Sequence, residues 1–186
     1  MHRIHIHLFV LRGVALKGTY TLIMECKKPF RVEIGSIGRV QIDEGFLVYT
    51  GSALGRGGAS LERRIERHCR RRKRVRWHVD FLTIRQQIII RKVICIDSPE
   101  RLECRINRRI ISELAGTPVT LRAGATDCKC DGHLLSLAFA DGREMLTRLQ
   151  QVYAHFGSPI LLRVDSTSNL SSLFPPMAEC VSKYPD

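Results

Sequence analysis

Between residues 18 and 50 the chain holds only strand-length apolar runs broken at glycines, with no stretch long enough for a helix. Residues 18–24 (GTYTLIM) and 46–50 (FLVYT) are dense in β-branched and aromatic side chains, the composition of buried strands. Residues 31–42 break around Gly35–Ser-Ile-Gly38, which predicts a strand, a turn and a return strand, and Asp43-Glu-Gly45 supplies the next turn. Upstream, residues 3–10 alternate Ile4, Ile6 and Leu8 with His5 and His7, the pattern of a half-exposed strand. Such a beginning commits the fold to a sheet built from local, antiparallel neighbours.

Helical periodicity comes later. From residue 59 to about 72, Leu61, Ile65 and Cys69 form an apolar stripe, and Arg64 and His68 share a face bordering it. Residues 77–84 and 87–96 read as extended. A second helix is predicted from Ser98 as N-cap and Pro99 to about Ala115, stopped by Gly116 and Pro118. Its stripe is Leu102, Ile106, Ile110 and Leu114. Glu103 projects into that stripe, where an ionised carboxylate is costly unless paired, hydrogen-bonded or metal-bound. Residues 119–121 and 133–140 are expected as late strands joined by a cysteine-containing turn, and 143–156 as a last helix. The class is therefore α/β, more narrowly α+β: a small, mainly antiparallel sheet flanked by helices. One domain is expected over residues 1–156, with 157–186 as an extension or loose tail.

The net charge of +12 is concentrated: nine of the fourteen residues from Arg63 to Arg76 are Lys or Arg. A charge excess serving only solubility would be spread out, so the run points to a polyanion, with nucleic acid first. Arg70, Arg71, Arg72, Lys73, Arg74 and Arg76 are the expected phosphate track. No apolar run approaches the ~20 residues that span a bilayer, so no membrane partner is expected. Seven cysteines without a secretory signal suit a reducing cytoplasm.

The order of motifs now matters. Gly18-x-Tyr20 on one strand, Tyr49-x-Gly51 on another, Arg64 and His68 on a helix and Glu103 on a later helix resemble the GIY-YIG nuclease superfamily. The strings GTYTL, GFLVYTGSALG, WHVDFL and TDCKCDGHL resemble its Uri-type branch, which also occurs joined to endonuclease III-like glycosylases. The resemblance covers about residues 16–140. It implies a metal-dependent endonuclease cutting DNA in repair or processing. Tyr20 and Tyr49 would position and deprotonate water, and His68 would stand one helical turn after Arg64, which would grip the scissile phosphate. Glu103 would hold one Mg2+ or Mn2+ ion. Thr19 and Thr50 replace the middle Ile of each tripeptide, and a hairpin around residues 35–45 is inserted between the tyrosines.

Several alternatives stay open. The basic run serves equally a non-catalytic nucleic-acid-binding module acting with a repair partner, and RNA stands beside DNA as ligand. Arg64 and Glu103 could form a structural ion pair instead of an active site. Cys128, Cys130 and His133, with Cys104, allow a structural Zn2+ site, although the C-x-C-x2-H spacing equally suits a tight turn packing small thiols. Trp77 could stack a base or pack the core. His78 and Asp80 could touch substrate or brace the site. His2, His5 and His7 build no metal site by alternation alone.

Overall fold

The structure, a computed structural model, describes residues 17–55 and 60–164. The expected strand at residues 3–10, His2, His5 and His7, and the segment from 165 onward lie outside the described residues. The chain order is β1 (Gly18–Cys26), β2 (Phe30–Ile34), β3 (Gly38–Ile42), β4 (Gly45–Ala53), α1 (Leu61–Cys69), α2 (Asp80–Thr83), β5 (Ile88–Asp97), α3 (Glu103–Leu114), β6 (Thr117–Pro118), β7 (Leu134–Leu137), α4 (Gly142–Ala154) and β8 (Ile160–Arg163). Six strands form one antiparallel sheet in the order β6-β7-β4-β1-β5-β8, and β2 and β3 pair separately as a hairpin between β1 and β4. β8 extends the sheet past residue 156, onto β5.

β1 is central, and only Glu25 in it keeps partial exposure. Successive side chains on a strand point to opposite faces, so β1 feeds two cores. Tyr20, Leu22 and Met24 pack with Leu61 and Ile65 of α1, Leu82 of α2 and Val32, Ile34, Val40 and Ile42 of the hairpin. Ile23, with Val48 and Ile94, packs with Ile106 and Ile110 of α3 and Met145 and Leu149 of α4. The hairpin covers one face only, so it alternates: Arg31, Glu33, Arg39 and Gln41 point to solvent. No helix among the described residues is long and apolar enough to cross a membrane.

Four element boundaries differ from the sequence expectation. α1 ends at Cys69 rather than near 72, because Lys73 reaches back to the His68 carbonyl (2.7 Å) and the Arg67 carbonyl (3.3 Å) and caps the helix. Residues 77–84 are not extended. Asp80 Oδ2 accepts from the Arg76 and Trp77 amides (2.9 and 3.1 Å), winding this segment into a turn and the short α2. α3 starts at Glu103, five residues after Ser98. The Ser98 hydroxyl caps a preceding turn by accepting from the Glu100 amide, and the Leu102 amide donates to Thr19 Oγ1 of β1 (3.2 Å). The expected strand at 119–121 lies at Thr117–Pro118 instead, with Leu121 exposed in the following turn.

Candidate active-site cleft

The strands carrying the two tyrosines are neighbours, with Tyr20 opposite Gly51 and Leu22 opposite Tyr49. Tyr20 therefore lies across Gly51, so close that a β-carbon there would stand 2.8 Å from Tyr20 Oη. Gly51 is in extended backbone inside β4. Its role is to make room for the phenol, and it does not turn the chain out of the strand. On the outer side of Tyr49, Gly124 adopts φ +76°, which an L side chain rarely takes, and a β-carbon would meet the Tyr49 ring at 2.6 Å. The loop from 119 to 133 can lie against Tyr49 only because of this glycine.

Tyr20, Tyr49, Arg64 and Glu103 line one cleft of about 330 Å3. Arg64 comes from α1 on one face of the sheet and Glu103 from the first turn of α3 on the other. Arg64 donates to the Ser52 carbonyl (2.8 Å) while its guanidinium lies 5.0 Å from the centre of the Trp77 ring. That contact aims the fork, and the remaining donors meet no partner among the described residues, which suits them to an anion. Arg64 and Glu103 do not pair with each other. Glu103 Oε1 accepts from Arg101 Nε (3.1 Å), and Arg101 also binds Asp127 (2.9 Å). Glu103 Oε2 is buried and has no hydrogen-bond partner among the described residues. A carboxylate oxygen left in this state is costly unless a cation or donor meets it.

His68 does not line the cleft. It is fully buried beneath Tyr20, whose hydroxyl lies 2.7 Å from His68 Nε2. The other ring nitrogen, Nδ1, is 3.5 Å from Asp80 Oδ1, a separation that gives electrostatic coupling without a good hydrogen bond. The carboxylate favours the proton on Nδ1, so Nε2 is the acceptor for Tyr20. Burial brings the His68 pKa from 6.5 down to about 4, so the ring is neutral at physiological pH. Burial also pushes the Tyr20 hydroxyl well above its ordinary value and Tyr49 up to about 12, so both phenols stay protonated.

Asp80 is the hub of this layer. Arg67 Nη1 donates to both of its oxygens (3.0 and 2.9 Å), and Lys73 Nζ lies 3.2 Å away. Burial raises the Asp80 pKa, but the adjacent imidazole, the two backbone amides and the Lys73 ammonium outweigh it, leaving the group well below the carboxylate range. Burial brings Lys73 down to about 8 despite Asp80. Arg67 stacks on Trp77 at 4.3 Å, so one indole separates the structural arginine from the one facing the cleft. Trp77 thus packs against the core and orients Arg64. His78 accepts the Gly124 amide (3.1 Å) and braces the loop that covers Tyr49.

The sequence carried only a weak hint of this hub, in the WHVDFL string. Thr19 and Thr50 also do more than keep a β-branched shape. Thr19 anchors the start of α3, and Thr50 joins Thr21 and the buried Tyr153 in a chain of hydroxyls (2.9 and 2.8 Å).

The basic run divides. Arg71 donates to the carbonyls of Arg85, Ile88 and Thr83, and Lys73 is turned inward, so neither is placed to track phosphates. Arg70 is exposed but paired with Glu66. Arg72, Arg74 and Arg76 are exposed, and Arg76 reaches the cleft.

The ligand atoms of Cys104, Cys128, Cys130 and His133 lie within 4.8 Å of one another, a Cys3His cluster that could hold a metal ion. It sits immediately behind Glu103.

The neutral, buried His68 has a consequence for stability. Between pH 6.5 and 4 the unfolded chain binds a proton at this residue and the folded chain does not, so acidification favours unfolding. The expected loss is about 3 kcal/mol across that window. Urea midpoints measured from pH 7.5 to 4.5 should fall, and His68→Gln should show a shallower slope. Identical slopes would mean that His68 is not the group responsible.

An α+β protein with a basic cleft walled by two phenols, a guanidinium and an unsatisfied carboxylate is the class that fold and site define. The chain belongs to the family described as domain of unknown function DUF123, whose model matches residues 19–158. No curated protein and no solved structure matches it.

Proposed function

We propose that the cleft hydrolyses phosphodiester bonds in DNA with the help of Mg2+ or Mn2+, as a GIY-YIG-type endonuclease of repair or processing. The setting would be the reducing cytoplasm that a thiol-rich chain suits. The observation that carries this reading is Glu103, whose buried Oε2, without a hydrogen-bond partner among the described residues, stands in the wall of a cleft that Arg64 and Arg76 also line. A cleft that only held phosphates would gain nothing from a carboxylate, which repels them. A hard divalent cation between the two removes that conflict, and such ions take oxygen ligands while keeping several waters.

Glu103 would hold the ion, which would supply charge neutralisation at a phosphate oxygen and the departing oxygen. The other groups act through positions they already hold. Arg64, braced by the Ser52 carbonyl and Trp77, would grip the scissile phosphate and meet the charge that builds on it. The phenols stay protonated in the resting site, so they orient water by hydrogen bonding. Tyr20 can take a proton from water only as it passes its own to His68 Nε2, and the Asp80 carboxylate offsets the positive charge that then appears on the imidazole. Exposed Arg72 and Arg74 would follow the backbone outside the cleft, and Arg76 would follow it at the cleft itself.

Those exposed cations also favour the second reading, a module that holds nucleic acid for a repair partner without cutting. Incubation of the intact chain with single-stranded, nicked, flapped and duplex DNA, and with RNA, in Mg2+, Mn2+ or EDTA separates the two. Cleavage products that require the divalent ion are expected. Binding of every substrate with no cleavage in either ion would leave only the module.

A further inference from the structure

We infer that Cys104, Cys128, Cys130 and His133 form a closed zinc site that fastens the start of α3 to the loop from 119 to 133 and thereby sets the position of Glu103. The role given to Glu103 rests on the proposed phosphodiesterase reading, whereas the zinc site does not.

Geometry is the first ground. A tetrahedral zinc with Zn–S of about 2.3 Å and Zn–N of about 2.0 Å requires sulfur and nitrogen about 3.5 Å apart. His133 Nε2 lies 3.7 Å from Cys104 Sγ and 3.6 Å from Cys128 Sγ, and all four ligand atoms fall within 4.8 Å. Ligand chemistry is the second. Three thiolates and an imidazole are a soft set that selects Zn2+ over the hard cation expected at Glu103, and four protein ligands leave no open position, as in structural sites.

The frame around the ligands is already built. His133 donates its amide to the Ala123 carbonyl (2.8 Å), and its own carbonyl accepts from the Thr50 amide (3.1 Å), one residue from Tyr49. Arg122 donates to the Cys128 carbonyl (2.6 Å) and Arg108 to the Cys104 carbonyl (3.1 Å). Two guanidiniums beside the site offset the net negative charge of a three-thiolate zinc centre. The fully buried Asn107, one turn along α3, donates to the Gly132 carbonyl (2.8 Å).

Position supplies the role. Cys104 follows Glu103 directly, while Gly124, Thr126, Asp127 and His133 of the loop line the same cleft as Glu103. The side chain of Leu102, the residue before Glu103, is fixed in the core, and its amide is bound to Thr19. A metal on Cys104 would close the other side. Glu103 would then be held between two anchored neighbours, which keeps its free oxygen directed at the cleft.

The test is made on the intact chain purified under reducing conditions. Elemental analysis should find about one zinc per chain, retained through dialysis. Replacement by Co2+ should give the intense visible bands of tetrahedral thiolate cobalt. Cys130→Ser should weaken zinc binding at least tenfold, and Cys130→His, which keeps a zinc ligand, should restore it. Hydrogen exchange at residues 103–107 and 120–133 should accelerate when zinc is removed. No zinc above background in the wild-type chain, an octahedral cobalt spectrum, or a Cys128–Cys130 disulfide in the reduced preparation would overturn the site. Zinc bound with unchanged exchange at 103–107 would overturn the positioning role. Stoichiometric zinc in a chain that cuts no substrate would instead end the nuclease reading and leave the zinc site standing.

Discussion

Arg64→Lys should cut DNA about 10²–10³-fold more slowly than the unaltered chain while holding it nearly as tightly. The side chain spends one donor on the Ser52 carbonyl and is flattened against Trp77, so a planar fork is presented to the cleft at fixed orientation. Lysine keeps the charge but has neither the plane nor the spare parallel donors. Glu103→Gln should lower the rate at least as much, and raising Mg2+ should recover part of it, because the neutral amide still offers one oxygen. Neutralising Arg72, Arg74 and Arg76 together should do the reverse. Affinity should fall broadly, and the salt dependence should flatten by about 0.7–0.9 per lost phosphate contact. Filter binding and single-turnover cleavage on the same substrate check all three. If Arg64→Lys loses affinity in step with the triple variant and shows no separate loss of turnover, Arg64 is one more phosphate contact and the catalytic proposal fails.

Asp80→Asn should destabilise the fold by about 3–5 kcal/mol, although the two side chains have the same shape. Asp80 is wholly buried and faces Arg67, the nearly buried Lys73 and two backbone amides. Removing its charge leaves those cations facing each other with no counter-ion, and Lys73, already brought down to about 8, would fall further and shed its proton. In a chain of this size the loss corresponds to a melting temperature lower by roughly 6–20 °C. Adding Lys73→Met to Asp80→Asn should then cost only the lost cap of α1, since an isolated buried charge is worse than none. Thermal unfolding of the two variants provides the measurement. A loss below about 1 kcal/mol for Asp80→Asn would show that the cluster is solvated and not the hub described.

The parts of the fold legible in the sequence are those set by local pattern. β1 and β4 are buried on both faces and read as runs dense in β-branched and aromatic side chains, and the β2–β3 hairpin alternates between its glycine turns because only one face is covered. The end of α1 and the winding of α2 do not show in apolar periodicity because side-chain-to-backbone hydrogen bonds decide them: Lys73 folds back on the helix carbonyls, and Asp80 gathers the amides ahead of it. For the site, residue types and their order singled out Tyr20, Tyr49, Arg64 and Glu103, which the fold brings to one cleft. Composition could not divide the basic run, because an arginine bound to three carbonyls and one facing solvent are the same letter. Thr19 and Thr50 keep the β-branched shape of the isoleucines they replace, and what sets them apart is hydroxyl partners elsewhere in the fold: the Leu102 amide for Thr19, and Thr21 for Thr50. The Cys3His set is ambiguous in the sequence because its C-x-C-x2-H spacing equally suits a tight turn, and only the fold brings Cys104 of α3 to it.

β8 has a bearing on solubility that its four residues conceal. It pairs with Lys92–Cys95 of β5, a ten-residue strand rich in isoleucine and valine. At the far side of the sheet the outermost strand among the described residues is Thr117–Pro118, too short to template another chain, and proline has no amide to offer. Loss of β8 would turn β5 into a long apolar border with its amides and carbonyls unclaimed. Among the described residues, the shielding of the β5 border therefore rests on residues 160–163, remote from the residues proposed to do chemistry.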